Sequence, residues 1–158
     1  MTTTREAQII VHGDIPAVTI IREFDAPPEK VFRAHVDPDL VRQWLGPRGL
    51  DMTIDHYDCR TGGSYRYTHA DEDGEYTFYG SFHEVRPSER IVQTFTYEGM
   101  PDGVSLDTLT LEDLGDGRTR LVATSLLDSM EARDGMIASG MEVGIREGYE
   151  RLDELLAG

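Results

Sequence analysis

Few side chains in this sequence have chemistry near neutral pH. There are five histidines, His12, His35, His56, His69 and His83, and one cysteine, Cys59. A histidine does acid–base work when a pocket holds it against a substrate. His56 is the candidate for that role. It continues an alternation begun by Met52 and Ile54, so an unbroken strand would turn its imidazole inward. Tyr57 follows at once, and a bulge there would turn His56 outward instead. His69 and His83 read as surface residues, and His12 and His35 as packing or solvent residues. Asp58 and Arg60 share a side of an extended chain, with Glu84 as a third member if its strand is adjacent. The trio could form an acid–base group, but its expected role is an ion pair pinning the Gly62-Gly63 turn. Cys59 lacks a histidine partner motif and is a poor nucleophile candidate.

Other chemistries lack their motifs. There is no GxGxxG, no P-loop and no CxxC, which leaves no expectation of a nucleotide or redox cofactor. The histidines lack the spacing of a zinc HExxH site, and no GxSxG elbow occurs. The expectation is no cofactor, no metal and no catalytic residue. What the sequence does offer is an aromatic set: Trp44, Tyr65, Tyr67, Tyr76, Phe78, Phe82, Phe95 and Tyr97. Aromatic walls with few polar groups suit a small hydrophobic ligand, while ordinary core packing is the alternative for each residue. The candidate ligand-binding residues are Trp44, His56, Tyr65, Tyr67, Phe78, Phe82 and Phe95. Met141 and Ile145 join them from the C-terminal segment. Strand parity sends Phe78 and Phe82 inward and leaves Thr77, Tyr79 and Ser81 to water.

Particular elements must position these side chains. Ala17–Phe24 is rich in β-branched residues and reads as a strand, with Gln8–Val11 as the candidate for a short extra one. Pro28 opens a helix to Val36, and Asp37-Pro38 caps a second one from Pro38 to Leu45. Beyond Gly46-Pro47-Arg48-Gly49 the apolar period becomes two. Strands are expected over Leu50–Asp58, Ser64–His69, Glu75–Val85, Arg90–Tyr97, Ser105–Leu114 and Thr119–Leu127, joined by tight turns. From about Glu131 to Ala157 the apolar positions Ile137, Met141, Ile145, Tyr149 and Leu152 recur at helical spacing. They predict one amphipathic helix, about 40 Å long at 1.5 Å per residue. Gly140, Gly144 and Gly148 recur inside it. Each costs about 1 kcal/mol against alanine, so close packing or room for a ligand must compensate.

The expected fold class is α+β. A curved antiparallel sheet of about seven strands, two short helices and a long C-terminal helix across the sheet leave a cavity between helix and sheet. One domain over residues 1–158 is expected, with residues 1–15 as an N-terminal extension. A chain of 158 residues can bury one sizeable core without staples. The formal charge is −15, from 15 basic and 30 acidic residues. That balance argues against nucleic acid and anionic membrane partners. One cysteine forbids an intrachain disulfide, and Met1–Asp14 lacks a signal-peptide layout. A cytoplasmic setting is the expectation.

Several local motifs, taken in order, resemble the Hsp-90 ATPase activator homologue family of the START-like (SRPBCC) superfamily. Asp25-Ala26-Pro27-Pro28-Glu29-Lys30-Val31-Phe32 resembles its "DAPxxxVF" opening. Asp37-Pro38-Asp39-Leu40 and Trp44-Leu45-Gly46-Pro47 resemble "dPexl…WxGP". Asp58, Arg60 and Gly62-Gly63 match "DxRxGG", Gly80–Val85 resembles "GxyxEv", and Pro87–Ile91 resembles "PxerI". Relatives often carry paired tryptophans where this chain has Gln43-Trp44-Leu45, and Gly-Trp where it has Gly144-Ile145. The resemblance implies a helix-grip fold around a pocket for a small hydrophobic or amphipathic molecule. The superfamily also contains polyketide cyclases and aromatases, for which His56, Tyr65 or Tyr67 would be the proton-transfer candidates. The family's name implies a third role, contact with an Hsp-90-type chaperone. The chaperone-contacting half of its namesake is a separate domain that this length does not accommodate.

Overall fold

A computed structural model describes residues 6–158. Its elements run β1 (Gln8–Val11), β2 (Ala17–Phe24), α1 (Pro28–Val36), α2 (Pro38–Trp44), β3 (Asp51–Tyr57) and β4 (Ser64–Asp71). They continue with β5 (Gly74–Arg86), β6 (Arg90–Tyr97), β7 (Ser105–Gly115), β8 (Arg118–Leu126), α3 (Met130–Ala138) and α4 (Met141–Ala157). The N-terminal extension before Glu6 lies outside the described residues.

Local chemistry sets the helix starts. Pro28 and Pro38 stand in first turns, where a missing N–H costs nothing. The Asp37 side chain accepts from the Asp39 N–H at 3.0 Å and so caps α2.

All neighbouring strands are antiparallel, in the order β1-β2-β8-β7-β6-β5-β4-β3. The sheet has eight strands, against an expectation of about seven, because Gln8–Val11 does form the edge strand. Register fixes the inner face. Leu121, Ala123 and Ser125 lie opposite Leu111, Leu109 and Asp107, which lie beside Ile91 and Gln93.

The C-terminal segment corrects the sequence expectation of one helix. Gly140 takes φ 87°, a left-handed conformation that separates α3 from α4. Glycine adopts it freely, and no helix continues through it. Gly140 is therefore the N-cap of α4 and not an interior residue. The remaining helix of 17 residues is about 26 Å long, too short to roof the whole sheet.

That helix covers one end. Phe24, Leu121, Tyr149 and Leu152 are buried there in one core, with Leu156 beside them. Tyr149 meets Phe24 edge-on at 5.5 Å and stacks on Trp44 at 6.1 Å. Arg22, 2% exposed, forks onto Asp153 of α4 at 3.1 and 2.5 Å. This bidentate pair, buried on the arginine side, ties the helix to β2. Gly148 permits the close approach on the other side. A Cβ there would sit 3.3 Å from the Trp44 carbonyl and 3.4 Å from the Gly46 nitrogen. The compensation for that glycine is contact with the end of α2, not with the sheet.

Candidate ligand-binding site

The inner face of β4, β5 and β6 carries a continuous aromatic surface. Tyr65 and Tyr67 stack with centroids 6.0 Å apart, Tyr65 meets Phe82 at 5.2 Å, and Tyr67 meets Phe78 at 5.5 Å. Phe95 stacks on Phe78 at 5.1 Å. Five sequence candidates are thus brought together on one face. Phe82, Tyr65 and Tyr67 are buried, while Phe78 and Phe95 keep accessible surface. The neighbours Thr77 and Tyr79 are half-buried and Ser81 is exposed. Met141 and Ile145, from the first turns of α4, are half-buried against the same core as Leu109 and Ala123.

Trp44 stands apart from that surface. It is 5% exposed, donates from Nε1 to the Ala34 carbonyl at 2.8 Å, and belongs to the closed end under Tyr149. His56 does not point inward. The register shifts between Ile54 and His56, which breaks the alternation. His56 is exposed and meets the Ser64 hydroxyl at 3.1 Å, while Tyr57 takes the inner position and donates to the His35 carbonyl at 2.9 Å. His69, expected on the surface, is 6% exposed on the inner face of β4. Its ring meets Tyr67 at 5.2 Å and lies where a Cβ on Gly46 would be, 2.8 Å away. Burial, then the nearby Arg151, lowers its pKa.

The Asp58–Arg60 pair is exposed, at 2.8 Å. Glu84 does not join it, pairing with Arg86 and Arg90 instead. Gly63 is the tight point of that turn, since a Cβ would fall 1.9 Å from the Asp58 carbonyl. Burial, then Asp58, pushes the Cys59 thiol up to about 12, so it carries almost no thiolate near neutral pH.

One polar row crosses the inner face, and the sequence reading missed it. Gln93, Asp107 and Ser125 lie side by side on β6, β7 and β8. Asp107 accepts from the Ser105 hydroxyl at 3.0 Å and from Ser125. Burial raises its pKa, while the two serine hydroxyls pull the other way. Gln93 donates from Nε2 to the Tyr65 hydroxyl at 3.2 Å, and that hydroxyl donates to the Thr94 carbonyl at 2.6 Å. Tyr65 crosses β5 at Gly80, where a Cβ would sit 2.7 Å from its hydroxyl and 2.0 Å from the Thr94 oxygen. A signal for Asp107 was present in the sequence. It shares strand parity with Leu109 and Leu111, so a carboxylate stands on an otherwise apolar face.

Solvent access along that face is uneven. Leu121, Ile91 and Phe24 are 0–3% exposed. Gln93, Phe95, Asp107, Leu109, Ala123 and Ser125 remain part-accessible. These side chains of the concavity therefore keep part of their surface accessible. Two clefts lie elsewhere. One of about 600 Å³ lies among α1, α2 and the end of α4, with Lys30, Arg33, Leu40, Arg151 and Leu155 around it. One of about 550 Å³ lies beside the Asp71–Asp73 hairpin and Gly49. No helix among the described residues is long and apolar enough to cross a membrane.

Comparison with solved structures finds the same architecture. A solution structure of an Arthrobacter aurescens protein shares 27% identity with a TM-score of 0.86, over 95% of this chain and 91% of that one. A crystal structure of a Rhodobacter sphaeroides protein shares 30% with a TM-score of 0.85, over 95% and 97%. A crystal structure of a Mycobacterium smegmatis protein shares 25% with a TM-score of 0.85, over 94% and 95%. No curated protein matches the chain. The family model described as "Activator of Hsp90 ATPase homolog 1-like protein" matches residues 25–157. The chain therefore belongs to that family and has its START-like fold.

Proposed function

We propose that the protein binds a small hydrophobic or amphipathic molecule in the concavity between the sheet and the C-terminal helix. The observation that carries this is the part-accessible inner face at Phe95, Asp107, Leu109 and Ala123, beside the first turns of α4. Burying such apolar surface against a ligand gains about 25 cal/mol per Å². Phe78 and Phe95 supply flat apolar area, and the polar row orients a ligand with one polar end. Native mass spectrometry of the purified protein tests this. A retained small molecule, or added 1-naphthalenemethanol held in a one-to-one complex, is the expected result. Bare chain alone at millimolar probe would contradict it.

A second reading is an enzyme of the polyketide cyclase or aromatase type. Its support is Asp107, a carboxyl with raised pKa beside the aromatic wall that carries Tyr65 and Tyr67. His56, on the outer side, is not a candidate for it. Tyr65 is a poor acid, since its proton is committed to the Thr94 carbonyl and burial raises its pKa further. A bound molecule whose covalent structure changes during incubation with the protein would favour this reading over simple binding.

A further inference from the structure

Asp107 is an unusual carboxylate for a protein of this charge. Most acidic residues here stand in turns or on outer helix faces, in water or beside an arginine. Asp107 instead lies on the inner face, between Gln93 and Ser125 in register and one row from Leu109. Among the described residues, no lysine or arginine pairs with it. Its partners are two hydroxyls, Ser105 and Ser125. A carboxylate offers about four acceptor sites, so two remain unused. The residue also keeps accessible surface in the concavity.

The row around it offers acceptors. The serine hydroxyls commit their protons to Asp107. Gln93 directs its amide N–H to Tyr65, which leaves its carbonyl oxygen as the complementary acceptor. Tyr65 directs its proton to the Thr94 carbonyl. A ligand carboxylate would therefore meet the like charge of Asp107, in a row where the Tyr65 and serine protons are already committed. A ligand hydroxyl or ammonium would meet an acceptor lacking a cation, inside an apolar wall where such bonds are strong.

We propose that Asp107 anchors the polar end of the bound molecule, and that this end carries a hydrogen-bond donor, a hydroxyl or an ammonium, and not a carboxylate. The inference rests on the binding role proposed for the concavity, and the test separates the two. Three probes share one apolar body: 1-naphthalenemethanol, 1-naphthylmethylammonium and 1-naphthoate. Titration calorimetry at pH 7.5 compares them on the intact protein and on Asp107→Asn. On the intact protein, naphthoate binds at least about tenfold weaker than the other two, the ratio expected from one charge-assisted hydrogen bond. In Asp107→Asn the naphthoate penalty disappears and the ammonium probe loses about tenfold. Equal affinities on the intact protein, or an unchanged ranking in the variant, would overturn the anchor while leaving the binding concavity standing. No binding of any probe at millimolar concentration would remove both. Should the variant not fold, the Asp107 carboxyl carbon shift on the intact protein decides. It moves with 1-naphthylmethylammonium if the anchor is real, and stays fixed if it is not.

Discussion

His35 couples one buried side chain to the stability of the whole core. Its Nδ1 meets the Val31 carbonyl at 2.7 Å and its ring lies edge-on to Trp44 at 4.8 Å. Burial lowers its pKa from 6.5 to about 4, against the smaller opposing pull of that carbonyl. The folded state holds the ring neutral, whereas the unfolded chain takes up a proton below about 6.5. The neutral ring's contribution is therefore complete above that pH and declines as pH falls toward 4, by on the order of 3 kcal/mol. Urea unfolding at pH 7.5 and 4.5 measures it. His35→Phe should show a shallower loss than the parent, and equal losses would refute the assignment. Gly80 makes a second residue-level test. Gly80→Ala should destabilise by about 1–3 kcal/mol, because the methyl group must displace the Tyr65 hydroxyl and the Thr94 carbonyl. Thermal melts and loss of probe binding together would check it. Residue positions were the least legible feature of the sequence. Parity placed Phe78 and Phe82 on the inner strand face, but one bulge after Ile54 was enough to reverse His56 and Tyr57. His69 kept the parity of Tyr65 and Tyr67, yet its polar character had suggested water. What covers it is the Gly46 loop, distant in sequence.

Helices and strands were far more legible, because each carries its own period and stop signals. Strand ends fell within a residue or two of expectation, set by turns such as Asp116-Gly117 and Gly62-Gly63. The exception was the division at Gly140. Apolar spacing of three and four residues runs straight across it, through Ile137, Met141 and Ile145, so periodicity alone read one helix. Backbone conformation decides otherwise, and a matched pair of substitutions measures that. Gly140→Ala forces a Cβ into a left-handed residue and should cost about 1 kcal/mol. Gly144→Ala enters a true helix interior with only Pro47 nearby, at 3.5 Å, and should gain up to about 1 kcal/mol. Opposite shifts in midpoint denaturant concentration are the expected result. Shifts of one sign would mean that α3 and α4 behave as a single helix.

At the scale of the whole molecule, the inner face of the sheet carries few of the many charges. The −15 net charge lies mainly on turns and outer faces, where it favours solubility without specifying a partner. Arg22–Asp153 and the Trp44–Tyr149 stack close one end of the helix grip. Toward the other end, Phe95 and Asp107 keep part of their surface accessible. The fold was legible from element order, and the family from its motifs. The polar row was not, since it forms only when β6, β7 and β8 come into register. The proposed ligand site is this part-accessible end. Its most direct test is methyl NMR of Met141 and Ile145 during titration with 1-naphthalenemethanol. Saturable shifts of both methyl signals are expected, with intermolecular Overhauser contacts to Phe95. Shifts confined to Leu40 and Leu155 at the outer cleft, with Met141 and Ile145 unmoved, would contradict it.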